Sequence, residues 1–346
     1  MRAALKLLAI LAALALQGCA SHSVSLWSEN DSFATAGSEY TNYSNGIQFA
    51  FAPTAPHQPC SDDCDNGLFG SIVDFVNIGE RKKPSPDIEN PIWLRFGFGQ
   101  QFFTPDDLSI ETVQTHERPY AGWLYGFLDV SNEFYDARTE EHYRNNVSLR
   151  LGVVGPASLG EDLQRLWHAR CDCPEPRGWD HQLENEPGLI YSIGQDRRVL
   201  RRAISESWSY DVIGTVSGSI GNVYTGAEAG GIFRLGWNLD RGWGARTIDD
   251  VGFHEAPTAV GDPGFFIFAG LRGRAVARDI FLDGNTWEGG HSVNRKPLVY
   301  DQTIGFGLNW KQFDVNVSYV YRSKQYSSQA TPTRFGSLVL TWRPKE

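Results

Sequence analysis

The chain has 346 residues, enough for one large or two ordinary domains. Its 31 Lys and Arg stand against 41 Asp and Glu, a balance that argues against nucleic-acid binding through bulk charge. Aromatic residues make up 13 % of the chain and Gly numbers 36. Beyond the N-terminus, no run approaches the roughly 20 apolar residues that a transmembrane helix needs.

Residues 1–20, MRAALKLLAILAALALQGCA, carry Arg2 and Lys6, then an apolar run, then small residues. This is the pattern of a secretory signal peptide, too short to span a bilayer as a mature helix. Cleavage after Ala20 would leave 21–346 as the mature domain. Leu16-Gln17-Gly18-Cys19 also resembles a lipoprotein processing box, which leaves lipidation of Cys19 open. An exported chain rich in Gly and aromatics, without helical spans, predicts an all-β fold: a transmembrane antiparallel β-barrel of the outer membrane.

The first strand, 23–30, lies in SVSLWSENDSFA. Val24 and Leu26 share one face, and strict alternation puts Asn30 outward and Asp31 inward. Both can line one site only if the strand bulges or exits near Glu29. The second strand, 42–53, sets Ser44, Gly46 and Gln48 opposite Ile47, Phe49 and Phe51, so Ser44 is predicted to face the lumen beside Asn30 and Asp31. Segment 54–90, punctuated by Pro and Gly and carrying Cys60 and Cys64, reads as a periplasmic insertion.

Further strands are predicted at 91–102, 120–134, 145–155, 187–202, 207–221, 229–239, 264–279, 297–311, 313–325 and 332–343. That makes about twelve, an even number as bacterial single-chain barrels require. Several alternate over ten or more residues, the bilayer-crossing length, which weighs against a soluble β-sandwich. Inward Arg272, Arg274 and Arg278 fit either a filled lumen or an anion pore. With a periplasmic N-terminus, loops 31–41, 103–119, 156–186 and 280–296 lie outside.

Loop 156–186 holds the clearest helical segment, SLGEDLQRLWHAR. Ser158 and Glu161 have capping-box spacing. Leu159, Leu163, Leu166 and Trp167 fall near one face, while Gln164 and His168, four apart, are surface neighbours. The expectation is a short amphipathic helix folded over the barrel mouth with His168 aimed inward, oriented by Gln164 or Glu175. Of eight His in the chain, this one sits on an ordered element with a polar neighbour one turn back. CSDDC and CDC lack the CxxC spacing usual for zinc, so local disulfides are expected at Cys60/Cys64 and Cys171/Cys173.

There is no GxSxG elbow and no HExxH. A His base near Asn and Asp oxygens, without a nucleophile motif, suggests metal-assisted attack by water. Hard oxygen ligands suit Ca²⁺ better than Zn²⁺.

Five motifs occur in order: Asn30-Asp31; Tyr43-Ser44-Asn45-Gly46; ERPYAGWLY at 117–125; Gly155-Pro156 ahead of Gln164 and His168; and GWDHQLENEP at 178–187. Over nearly all of the mature chain, the sequence resembles the lipid A 3′-O-deacylase family of Gram-negative outer-membrane enzymes. The resemblance implies a twelve-stranded barrel that hydrolyses the 3′ ester of lipid A with Ca²⁺, releasing the acyloxyacyl group. Carried over residue by residue, it implies a catalytic set of Asn30, Asp31, Ser44, Gln164, His168 and Glu175. Asn30, Asp31 and Ser44 would surround the Ca²⁺. Arg118 is a candidate for a lipid A phosphate, since Arg binds phosphate bidentately. The family's lysines near the second external loop have no clear counterpart here. Lipopolysaccharide of the outer leaflet is the expected partner, and a monomer the expected state. The alternatives are an outer-membrane phospholipase with a Ser nucleophile and a non-enzymatic small barrel or channel.

Overall fold

The structure, a computed structural model, describes residues 22–34, 43, 45–53, 88–89, 91–171, 173–239, 242–250 and 263–344. The expectations for the signal peptide, Cys19, Ser44, Cys60, Cys64 and most of 54–90 lie outside these residues.

The strands are β1 (His22–Asn30), β2 (Asn45–Pro53), β3 (Ile88–Glu89), β4 (Ile92–Phe103), β5 (Ala121–Asp136), β6 (Glu141–Val154), β7 (Glu186–Ala203), β8 (Trp208–Gly221), β9 (Tyr224–Trp237), β10 (Gly264–Asp279), β11 (Leu298–Trp310), β12 (Phe313–Arg322) and β13 (Thr333–Trp342). All pair antiparallel, β1 pairs with both β2 and β13, and β5 with both β4 and β6. Twelve strands therefore close into a barrel. The two residues of β3 merely extend the sheet against Tyr135 and Asp136. Among the described residues no helix is long and apolar enough to cross a membrane; the strands do the crossing.

Period-2 alternation sorts the side chains inside out relative to a soluble protein. On β11, Ile304, Phe306, Leu308 and Trp310 are 41–60 % exposed, while Asp301 of the same strand is 1 % exposed. Lipid solvates the outer face of such a barrel, and the interior buries charged pairs together with an aromatic cluster that includes Trp27, Trp123, Tyr125 and Phe127. Two strands start earlier than hydrophobic alternation indicated, β6 at Glu141 and β9 at Tyr224. The opening of β6, EHYRNN, is polar on both faces, and its alternation appears only in pairing: His142 with Glu133 at 2.6 Å, Arg144 with Asp196 at 2.8 Å.

The lumen is filled. Asp301 accepts from Arg272 at 2.8 Å, Arg274 at 2.7 Å and Arg322 at 3.0 Å. Asp211 binds Arg198 at 2.9 Å and Arg234 at 2.7 Å. Arg278 donates to the carbonyls of Asn222 and Gly284 and to Thr286. The three inward arginines of β10 thus serve packing within the lumen.

Segment 242–250, which sequence periodicity did not reveal, runs inside the barrel from the end where β9 finishes toward the opposite rim. The Trp243 ring lies under the guanidinium groups of Arg144 at 4.9 Å and Arg198 at 5.4 Å. Further along, Arg246 pairs with Asp196. Arg150 donates to the Ile248 carbonyl at 2.7 Å, and Asp249 accepts from Gln101 at 2.9 Å and Arg322 at 3.1 Å. Isolated buried charges are costly, and opposed pairs with extra hydrogen bonds offset that cost. At the rim a single helical turn, Ile280–Asp283, stacks Phe281 on Phe103 with ring centroids 4.1 Å apart.

Candidate functional site

Around the rim, register places five outward positions side by side on consecutive strands: Gly336, Asn30, Asn45, Phe102 and Gly122. At about 4.8 Å per strand this row is about 19 Å long. Two elements leave the wall at its ends and fold back over it.

At one end β1 stops at Asn30, and Asp31–Phe33 forms a 3₁₀ turn. Asn30 is extended (φ −155°, ψ 142°), and its Oδ1 accepts the Ser32 N–H at 2.7 Å, capping the turn. The turn seats on Gly336, where an added Cβ would lie 2.5 Å from Phe33 Cβ. This strand exit is the break that alternation required. It lets both Asn30 (6 % exposed) and Asp31 (3 % exposed) be buried at one corner.

At the other end lies helix α1 (Gly160–Cys171). It rests on the outer face of the wall through a glycine contact: a Cβ on Gly122 would meet Ser158 Oγ at 2.0 Å and Gly160 Cα at 3.2 Å. Gln100 Nε2 adds a 2.5 Å hydrogen bond to the Ser158 carbonyl. Gly160, Gln164 and His168, spaced by four, are buried, whereas Leu159, Leu163, Leu166 and Trp167 are 37–55 % exposed. The helix thus turns Gln164 and His168 together toward the wall. Its polar stripe faces the wall and its apolar stripe faces away.

Gln164 is fully buried, and its Oε1 accepts the Trp179 indole N–H at 2.7 Å. An indole only donates, so this contact fixes which end of the amide is oxygen. The other end, Nε2, has no hydrogen-bond partner among the described residues. Trp179 packs with Phe102, Leu108 and Tyr120, which anchors the helix to the row below. Burial pushes the Tyr120 hydroxyl up to about 12, so it stays protonated at neutral pH.

His168 is 9 % exposed, and its Nδ1 lies 2.6 Å from the Pro174 carbonyl. A carbonyl only accepts, so Nδ1 carries a proton and the lone pair of the neutral ring sits on Nε2. The orienting group is thus the Pro174 carbonyl. Neither Gln164, held by Trp179, nor Glu175 fills that role. Glu175 is 60 % exposed in its side chain and pairs at 3.4 Å with Arg165 and Arg177. Cys173, in the same loop, is disulfide-bonded.

Arg118 is also displaced from its expected role. It lies on the lumen side, 1 % exposed, with its guanidinium 4.9 Å from the Phe103 ring centroid. Phe103 faces inward on β4, so this placement offers Arg118 no contact with a phosphate on the outer wall.

Sequence reasoning missed the inner support of the row. Glu29, fully buried, accepts from Tyr43 Oη at 2.8 Å, Ile248 N–H at 2.8 Å and Ser337 Oγ at 3.2 Å. One carboxylate thereby ties β1, β13, the residue before Ser44 and the luminal segment together, directly behind Asn30. Its inward parity with Trp27 was visible in the strand pattern. Asn45, outward between Asn30 and Phe102, was also passed over.

The family model described as "Outer membrane protein LpxR" matches residues 3–344. LpxR from Salmonella typhimurium superposes with a TM-score of 0.68 at 15 % identity, covering 93 % of this chain and all of that one. The β domain of the Bordetella autotransporter BrkA (TM-score 0.44, 8 % identity, 94 % and 100 % coverage) and an outer-membrane channel from Pseudomonas putida F1 (0.42, 8 %, 94 % and 96 %) share only the barrel's general form. No curated protein sequence matches. With a family match over nearly its whole length and the corresponding barrel fold, the chain belongs to the LpxR family of outer-membrane proteins, the lipid A deacylase family that its motifs resemble.

Proposed function

We propose that the chain is an outer-membrane lipid A 3′-O-deacylase that hydrolyses the ester of the 3′-acyloxyacyl group with water activated by His168. The observation that carries this reading is the inward polar stripe of α1. It presents an imidazole whose tautomer is set by the Pro174 carbonyl and, one turn back, a buried amide donor without a partner.

In this mechanism His168 Nε2 takes a proton from water as the water oxygen bonds to the ester carbonyl carbon. The carbonyl electron pair moves onto oxygen, and Gln164 Nε2–H donates to that oxyanion from a fixed, desolvated position. Collapse of the intermediate breaks the bond to the sugar oxygen, which takes the proton back from His168. The products are a free fatty acid and the 3′ hydroxyl.

The corner of Asn30 and Asp31, with Ser44 next in the motif, suits a hard cation: it offers a carboxylate and amide oxygens, and Asn45 Oδ1 beside it is buried without a partner among the described residues. Bound there, Ca²⁺ would supply positive charge opposite the developing oxyanion. Because the row lies on the outside of the wall, a lipid of the outer leaflet reaches it sideways without leaving the membrane.

The test is mass spectrometry of lipid A after expression of the chain in a Gram-negative host, with and without a Ca²⁺ chelator. Loss of the 3′-acyloxyacyl mass, suppressed by chelation, is the expected result. Unchanged lipid A with released phospholipid fatty acid would favour the phospholipase alternative instead.

A further inference from the structure

The motif Tyr43-Ser44-Asn45-Gly46 puts two amides next to each other across the β1–β2 pair, since Asn45 is the register partner of Asn30. Both point outward. On β2, Gly46 and Gln48 face the lumen, where a Cβ on Gly46 would meet Tyr43 Oη and Gln48 accepts from Tyr125 at 2.9 Å. Directly paired residues hold their side chains about 5 Å apart. Asn30 and Asn45 are therefore neighbouring amides on the outer face, beside the turn that begins at Asp31.

Their chemistry differs. Asn30 Oδ1 is engaged by the Ser32 N–H and forms the turn that brings Asp31 back over the wall. Asn45 is 8 % exposed, and its Oδ1 has no hydrogen-bond partner among the described residues. A buried amide oxygen without a donor is unfavourable unless something outside the chain satisfies it. An electropositive ligand at that position would do so, and amide oxygens are ordinary Ca²⁺ ligands.

We propose that Asn45, rather than Asn30, supplies the side-chain amide oxygen of the cation site, with Asn30 acting as the positioning residue that caps the turn under Asp31. The inference rests on the deacylase reading with Ca²⁺ given above.

The experiment is calorimetric titration of Ca²⁺ into the purified full chain in detergent micelles, with circular dichroism to establish the barrel and lipid A hydrolysis followed in parallel. Asn45→Ala should weaken Ca²⁺ binding about tenfold or more, whereas Asn45→Asp, which keeps an oxygen in place, should bind as tightly as the native chain or tighter. Asn30→Ser retains a capping oxygen and should stay within about threefold. Native-like affinity in a folded Asn45→Ala overturns the assignment, as does a tenfold loss in Asn45→Asp. An Asn30→Ser variant as weak as Asn45→Ala would return the ligand role to Asn30. A native chain that deacylates lipid A yet binds no Ca²⁺ defeats both this inference and the cation in the proposed function, leaving the His168 chemistry standing. A native chain that binds Ca²⁺ with normal dependence on Asn45 but leaves lipid A intact defeats the deacylase reading alone.

Discussion

The lumen and the outer row differ in the kind of polar group they bury. Inside the barrel, charges are matched to one another: three guanidinium groups on Asp301, two on Asp211, and Arg144 and Arg246 on Asp196. On the outer wall, Gln164 Nε2 and Asn45 Oδ1 are buried and have no partner among the described residues. Groups paired within the protein hold its shape, while polar groups left unpaired in a buried setting suit a ligand that arrives from outside. The contrast is one of charge: the lumen buries ions that neutralise one another, although single atoms there, such as Trp243 Nε1 and Arg274 Nε, also lack a partner among the described residues, whereas the outer row buries neutral amides.

Mutations can break that division. The largest effect is expected from His168→Ala, with a loss of roughly 10²–10⁴-fold in 3′-deacylation and an intact barrel, read by lipid A mass spectrometry and heat-modified gel mobility. Unaltered lipid A processing would remove His168 as the base. Next comes Gln164→Glu, which keeps an acceptor for the Trp179 N–H but removes the amide donor. Its kcat should fall on the order of 10²-fold while the KM changes little. A near-native kcat would leave Gln164 as a helix anchor only.

The lumen should respond in stability. Asp301→Asn leaves Arg272, Arg274 and Arg322 without their shared counter-charge, and buried pairs broken from one side cost about 3–5 kcal/mol. Urea unfolding in micelles should show that loss, while the molecules that remain folded keep their specific activity. The smallest effect belongs to Glu175→Ala. Exposed ion pairs such as those with Arg165 and Arg177 contribute about 0–1 kcal/mol, so both stability and activity should stay near native. A large drop in activity would place Glu175 in the chemistry after all.

Much of the scaffold was legible in the sequence, because alternation between a lipid face and a polar lumen is a local property. Ten of the strands begin within about three residues of where the pattern put them, and a break in β1 near Glu29 followed from parity once Asn30 and Asp31 were required to share a site. The luminal segment was not legible, since nothing in GWGARTIDD is periodic and its place depends on Asp196, Glu29 and Arg322, far away in the chain. The exact resting place of α1 on the wall was not legible for a related reason. An apolar stripe points to a core in a soluble protein, but here the barrel wall offers Gly122 and Phe102 while lipid surrounds the rest. For the site, residue types and spacing pointed to His168 and Gln164. Only the fold could show that Pro174 and Trp179 orient them and that Glu175 and Arg118 lie elsewhere.

The exposed Leu163, Leu166 and Trp167 of α1 have a kinetic consequence. A helix that turns its oily side to the acyl chains floats at the interface, and substrate finds it by diffusing in two dimensions. Turnover should then track the mole fraction of lipid A at the surface, not its bulk concentration. Diluting the substrate with inert detergent at fixed total amount should slow the reaction, and replacing Leu166 and Trp167 with polar residues should weaken capture without altering the chemical step.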